Sequence, residues 1–294
     1  TGRVSRIQVD PRDPDVAYVA ALGHSYGPQQ ERGIFRTKDG GETWEHVLFV
    51  DENTGASDLV MDPNNPRILF AGMWQLEIHT WGRTSGGPGS GIFMSRDGGD
   101  TWVRLTGNGL PTKDHGKIAL AMAPSNSNRI YALIETGDGV PLPDGTETES
   151  GELWRSDDGG DTWEKVATSI PNLDVHNVAV SSGPPKTVVV VVNNDVYTSR
   201  DGGHEWKAVG IKDVFPMTYP RGILVKPDDP QTIFVTIGDT TPGSTGAIMR
   251  STDTGETWAS LPLPVQPNTA MWVVNTQPFD SQLMFAGSRY GYLY

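Results

Sequence analysis

Apolar and polar residues alternate in short runs along this chain, a period-two pattern that predicts strands half buried in a sheet. Near the start, RVSRIQVD reads as one strand, PRDPD as a turn, VAYVAAL as a second strand and GIFRT as a third. A polar stretch, TKDGGETW, comes next, and TWEHVLFV reads as a fourth strand after it. Together they predict a four-stranded antiparallel meander. Long helical patterns are scarce.

The polar stretch recurs as SRDGGDTW at Ser95, SDDGGDTW at Ser156, SRDGGHEW at Ser199 and STDTGETW at Ser251. Its aspartates, Asp39, Asp97, Asp158, Asp201 and Asp253, stand 58, 61, 43 and 52 residues apart, which marks a repeat architecture. The turn between the first two strands also recurs, as DPNNPR at Asp62, APSNSN at Ala123, SGPPKT at Ser182, KPDDPQ at Lys226 and QPFDSQ at Gln277. Six such turns predict six sheets, and four-stranded sheets repeated around an axis make a β-propeller. The expected fold is therefore all-β, a six-bladed β-propeller of four-stranded antiparallel blades with the last blade incomplete. The blades divide one domain at approximately 1–50, 51–108, 109–170, 171–211, 212–264 and 265–294. GYLY at Gly291 matches GELW at Gly151, the third strand of its blade. The sixth blade is thus expected to have three strands, Thr1–Asp10 to be the innermost strand of blade one, and the chain to be a fragment of a longer protein with further domains.

Composition narrows the partners. Thirty-six acidic residues against 23 basic ones give a net charge of -13, which argues against nucleic acid or an anionic membrane as partner. There is no cysteine, so disulfides and cysteine metal sites are excluded. No signal peptide is visible in the chain, and TVVVVV at Thr187 is much too short to insert in a membrane. No Gly-rich phosphate loop and no G-x-S-x-G elbow occurs, and no cofactor is implied.

The DGG of the recurring stretch permits the positive φ of a tight turn, and its aspartate can accept bonds from the exposed amides. The Ser or Thr two residues earlier can do likewise. The closing Trp44, Trp102, Trp163, Trp206 and Trp258 can each bury a ring between blades while the indole N–H bonds a turn carbonyl. A calcium loop is the weaker alternative, because the spacing matches no complete EF-hand or RTX ligand set. With this S-x-D-x-G-x-x-W pattern the chain resembles the BNR or Asp-box repeat propellers of the sialidase-like and sortilin VPS10-like superfamily. Four boxes match well; the fifth has Thr254 in place of the first glycine. The stretches DPRDPDVAYVAALGH and GGPGSGIF look most like large bacterial sortilin-like repeat proteins. The resemblance implies an extracytoplasmic or secreted protein whose relatives include sialidases, xyloglucan-degrading glycosidases, sortilin-type receptor domains and photosystem assembly factors.

If the boxes and the Pro-rich turns share one face, the long loops between second and third strands take the other. GHSYGPQQERG at Gly23, MWQLEIHTWGRTSGGPGSG at Met73 and IETGDGVPLPDGTETESG at Ile134 are longer than a hairpin needs, as binding loops on rigid scaffolds are. Trp74, His79, Trp81 and Arg83, with His24, Tyr26 and Arg32, are the expected contacts to a glycan or a peptide. Rings stack on sugars, and guanidinium groups pair with carboxylates. The competing reading is that both tryptophans pack their loop. His24, His79, His115 and His176 fall on the same face as candidate metal ligands, although no paired-ligand spacing supports a metal. A glycoside hydrolase needs two carboxylates about 5–9 Å apart, with Glu31, Glu77, Asp114 and Asp174 as candidates. A sialidase would also need three arginines and a tyrosine, drawn from Arg3, Arg32, Arg83 and Arg221 with Tyr26 or Tyr219. The Arg-Ile-Pro signature of that family is absent, which argues against it. Three functions remain: a recognition propeller binding glycan or peptide, a glycoside hydrolase, and a histidine-metal lyase or hydrolase.

Overall fold

The computed structural model describes residues 2–136, 140–141, 147–148, 151–171, 174–184, 186–277 and 280–294. The chain divides into two compact units, Thr1–Met122 with Asn126–Lys165, and Ala123–Ser125 with Val166–Tyr294. The fold is all-β, built from four-stranded antiparallel sheets of the propeller type.

The first sheet runs β1 (Val4–Asp10), β2 (Asp13–Ala21), β3 (Gly33–Thr37) and β4 (Glu45–Leu48) in chain order. The second comprises β5 (Thr54–Met61), β6 (Leu69–His79), β7 (Gly82–Ser85), β8 (Gly91–Ser95) and β9 (Val103–Arg104), with β7 paired to the extension of β6 outside the main path. The third follows the order β10 (Ile118–Ala123), β11 (Asn126–Glu135), β14 (Gly151–Ser156) and β15 (Glu164–Lys165). Between β11 and β14 lies a small ladder of β12 (Val140–Pro141) and β13 (Glu147–Thr148).

In the second unit, β16 (Asn177–Val180), β17 (Val188–Val191), β18 (Val196–Ser199) and β19 (Lys207–Ala208) form one sheet. After the single turn of α1 (Ile211–Val214) come β20 (Tyr219–Val225), β21 (Ile233–Gly238), β22 (Gly246–Ser251) and β23 (Ala259–Ser260). The last sheet pairs β24 (Met271–Gln277) with β25 (Asp280–Ser288). Tyr294 exchanges backbone bonds with Ala286, and Ser288 donates to Tyr292, so the segment expected as a third strand does lie along β25.

Apolar side chains meet between consecutive sheets. Tyr18, Ile34, Leu59 and Leu69 are buried together between the first and second, and Phe70, Ile92, Ile118 and Ile130 between the second and third. In the second unit Val189, Val191, Ile223 and Val235 form such a layer, and Phe234, Ile248 and Met271 another. Each fully buried side chain of this size contributes about 1.5–3 kcal/mol. Polar pins join the first strands of the three sheets in the first unit. Ser5 Oγ donates to the Ala56 carbonyl at 2.7 Å and Ser57 Oγ to that of Ile118 at 2.7 Å. Arg6 meets the buried Asp58 at 2.8 Å, whose other oxygen accepts the Leu120 amide.

The box turns follow one plan. Ser95 Oγ donates to Asp97 Oδ1 at 2.8 Å and accepts the Gly99 amide at 2.8 Å, while Asp97 accepts both the amide and the hydroxyl of Thr101. The hydroxyls of Thr43, Thr101 and Thr162, then the amides of the same residues, hold Asp39, Asp97 and Asp158 down at about 2. Burial acts the other way on Asp253, yet the Thr257 hydroxyl and amide still bring it to about 2. Asp201 is lowered chiefly by the Glu205 amide, because glutamate replaces the threonine there. Trp44, Trp163, Trp206 and Trp258 donate their indole N–H to Gly41, Gly160, Gly203 and Gly255 carbonyls as expected. Trp102 departs from the plan, its buried Nε1 having no partner. Trp163 is 5% exposed but Trp44 is 44% exposed, so burial of the closing ring differs from box to box.

The fourth residue of each box, Gly40, Gly98, Gly159, Gly202 or Thr254, donates its amide to the carbonyl of Asp15, Arg67, Asn128, Lys186 or Gln231, in the turn between first and second strands or at the start of the second strand. In every sheet that has a box, the box and the first turn therefore share one end. The long loops leave from the other.

Candidate functional site

At the loop end of the first unit, the segment after Met73 is more regular than an open loop. β6 continues to His79 and returns as β7, with Leu76 opposite Ser85 and Ile78 opposite Arg83. The alternation in QLEIH already carries this hairpin, and the turn residues Thr80 and Trp81 close it. Much of the third long loop, at 137–139, 142–146 and 149–150, lies outside the described residues.

The two tryptophans of this segment separate. Trp81, at the tip, is 82% exposed, and its ring lies parallel to that of His79 with centroids 4.9 Å apart. His79 in turn stands 3.9 Å from the Glu77 carboxylate, and the exposed Arg83 lies opposite Ile78, on the other face of the hairpin. Trp74 is instead buried, and its Nε1 donates to Ser85 Oγ at 3.0 Å. Ser85 Oγ donates to Glu135 Oε2 at 2.8 Å, which also accepts the Lys117 amide. Trp74 is thus a packing residue, which corrects its expected place among the ligand contacts.

Arg32 needs the same correction. It is 1% exposed, and its guanidinium donates to the carbonyls of Asn53, Leu76 and Gly27, tying three segments of the loop end together. Burial pushes its pKa down, opposed by the Asp51 and Glu77 charges. Arg3 donates to the carbonyls of Gly23 and His24, so it too holds main chain. His24 and Tyr26 are exposed, as are Glu31 and Asp114. Arg221 and Tyr219 lie in the second unit, with the Arg221 guanidinium 4.7 Å from the Trp272 ring and 5.7 Å from that of Tyr219.

The histidines do not act as a set. His115 is buried, donates from Nε2 to the Pro111 carbonyl and leaves Nδ1 without a partner; burial lowers its pKa. His176 donates from Nδ1 to the Pro220 carbonyl at 2.7 Å and packs edge-on to Tyr219, in the second unit with Asp174. Among the described residues, no three His, Asp or Glu side chains come together as a metal site. No helix among the described residues is long and apolar enough to cross a membrane.

Glu135 and Ser85 were missed by the reading of the sequence. Both lie within stretches flagged only by their length, and it takes the meeting of two blades to reveal the Trp74–Ser85–Glu135 chain.

Comparison with known proteins gives three findings. The Sortilin-Vps10 family model, described as "Sortilin, neurotensin receptor 3", matches residues 151–289. Curated relatives include a xyloglucanase of a Paenibacillus species, 28% identical over 240 residues covering 78% of this chain and 19% of that protein. Another is the xyloglucanase Xgh74A of Acetivibrio thermocellus, 25% identical over 297 residues covering 88% of this chain and 32% of that one. The chain therefore spans about a fifth to a third of the length of these relatives. Among solved structures, an ancestral GH74 enzyme superposes with a TM-score of 0.68 at 17% identity, covering 99% of this chain and 37% of that one. These findings show similarity to Vps10 and GH74 proteins and a fold of the β-propeller type.

Proposed function

We propose that the loop end of the first unit binds a neutral glycan chain, with Trp81 as its anchor, His79 stacked beside it, and Arg83, His24 and Tyr26 as further contacts. The carrying observation is the 82% exposed Trp81 ring, braced flat against His79 at the tip of an ordered hairpin. An indole held open to water offers an apolar face that matches the C–H face of a sugar. The names of the two curated relatives, both xyloglucanases, support a xyloglucan-type ligand. The expected setting is extracytoplasmic, and the blade limits read from the sequence belong to the same proposal. Titration of xyloglucan oligosaccharides by calorimetry tests it. Trp81→Ala should weaken binding by about 1–3 kcal/mol while leaving the melting temperature unchanged. Equal binding by the variant removes this reading.

The second reading is hydrolysis of the same polymer, favoured by the activity in those relatives' names. Its candidate carboxylates are Glu31, Glu77 and Asp114 in the first unit and Asp174 in the second. Release of reducing ends from xyloglucan, lost on Glu77→Gln or Asp114→Asn, would establish it; binding without release leaves recognition as the function.

A further inference from the structure

One position on the third strand is sealed in the first two blades and open in the third. In β3 and β8 it is glycine, Gly33 and Gly91, and the outer strand closes over it. A Cβ at Gly33 would come within 2.0 Å of the Leu48 carbonyl oxygen, and one at Gly91 within 2.9 Å of Arg104 Nε. The neighbouring rings are covered too. His46 stacks on Phe35 at 4.2 Å and its Nε2 donates to the Arg32 carbonyl. Arg104, which pairs with Phe93 across β8 and β9, donates to the carbonyls of Pro88 and Ser90.

In β14 glutamate stands at the glycine position, and Trp154 at the position of Phe35 and Phe93. Lys165, opposite Trp154 in the ladder, pairs with the Glu152 carboxylate rather than with main-chain carbonyls. A cleft of about 360 Å³ opens beside them, walled by Leu110, Pro111 and Trp154, with Thr112, Lys113, Thr136 and the Glu152–Lys165 ion pair as polar lining. Two of its residues carry buried polar atoms with no hydrogen-bond partner, Thr136 Oγ1 and Trp154 Nε1. A buried donor left unpaired costs desolvation energy with nothing in return, so buried polar groups in folded proteins are nearly always bonded.

We infer that this cleft is a second sugar subsite, taking one neutral pyranose residue. The volume lies at the low end of ligand cavities, about 300–1,000 Å³. An apolar wall with an indole suits the C–H face of a sugar. Sugar hydroxyls both donate and accept, so they can bond both members of the exposed ion pair, and a small turn of the Thr136 and Trp154 side chains, whose orphan atoms are buried, would bring the hydroxyl and the indole N–H within their reach. The ligand class rests on the glycan reading given above, while the site itself is independent of Trp81.

The test uses methyl β-glucoside, methyl β-xyloside and methyl β-galactoside, with the indole N–H resonance of Trp154 as readout, assigned by its loss in Trp154→Phe. At least one glycoside should shift that resonance saturably. Thr136→Val keeps the side-chain shape and removes the orphan hydroxyl, so the fold should melt no earlier while the dissociation constant rises roughly tenfold. No shift with any of the three up to its solubility overturns the proposal, as does a shift that Thr136→Val leaves unchanged. Trp81→Ala separates the two sites. A Trp154 response that survives Trp81→Ala, whatever that variant does to xyloglucan binding, supports the subsite on its own account, whereas a response lost in Trp81→Ala overturns it.

Discussion

The two ends of each blade follow different rules. At the box end, five turns repeat one set of bonds: a Ser or Thr hydroxyl on an Asp, that Asp on amides three or four residues on, and an amide on the neighbouring turn. At the loop end the first three blades differ among the described residues. The first has an arginine lashing three carbonyls, the second a hairpin with an exposed indole, the third an open cleft. Repetition marks what every blade needs in order to fold. Variation marks where a ligand can be met, because bonds there are free to differ without unfolding the sheet.

Acid should show the largest effect, since it acts on every box at once. Asp39, Asp97, Asp158 and Asp253 lie at about 2 when folded, below the ordinary carboxylate value of 3.8. A depressed folded value means that the contribution is complete above about pH 4 and disappears as pH falls through 2. The melting temperature should therefore hold from neutrality to pH 4 and drop steeply between 4 and 2. A flat profile across that window would show that the box carboxylates are bystanders. The carboxylates are exposed, so solvent screening reduces the contribution of each.

Single boxes come next. Gly160 has φ of +93°, and a Cβ there would meet Phe70 Cε1 at 2.7 Å, so Gly160→Ala combines backbone strain with a clash in the core. A loss of on the order of 3–4 kcal/mol is expected by chemical denaturation. Ser156→Ala leaves the buried Gly160 amide, bonded to Ser156 Oγ at 2.8 Å, without a partner and should cost about 1–3 kcal/mol. Both variants should retain glycan binding. If either folds stably but no longer binds, the division between the ends is wrong.

The box end was legible because its bonds are local. Serine, aspartate, glycine and tryptophan lie within eight residues, so spacing alone predicted the turn, and its recurrence predicted the sheets. The loop end was legible only in outline. The length of the segment after Met73 flagged it, but burial separated Trp74 from Trp81, and burial depends on strands far away in the chain. Arg32 looked like a carboxylate clamp until its carbonyl partners, up to 44 residues away, were known. The cleft beside Trp154 left a trace in GELW, where glutamate and tryptophan replace the glycine and phenylalanine of GIFRT and GIFMS. That trace acquires meaning only once the ladder shows what covers the same place in the other two blades.

The smallest effect concerns the box whose first glycine position holds a threonine. Thr254 occupies the first glycine position of the fifth box with φ of +60°, a left-handed conformation that a β-branched residue adopts at a cost. Its amide still reaches the Gln231 carbonyl at 2.9 Å, and Ser251 and Asp253 keep the bonds of the other boxes. The turn is therefore held in shape by its neighbours against the preference of this residue. Thr254→Gly should relieve the strain, while the greater freedom of glycine in the unfolded chain offsets part of that gain. A net stabilisation of about 0.5–1 kcal/mol is expected, read as a higher denaturation midpoint at unchanged slope. Since Thr254 is buried, a destabilised variant would mean that its methyl group fills space between blades, and that this box was adapted for packing rather than worn down from the common pattern.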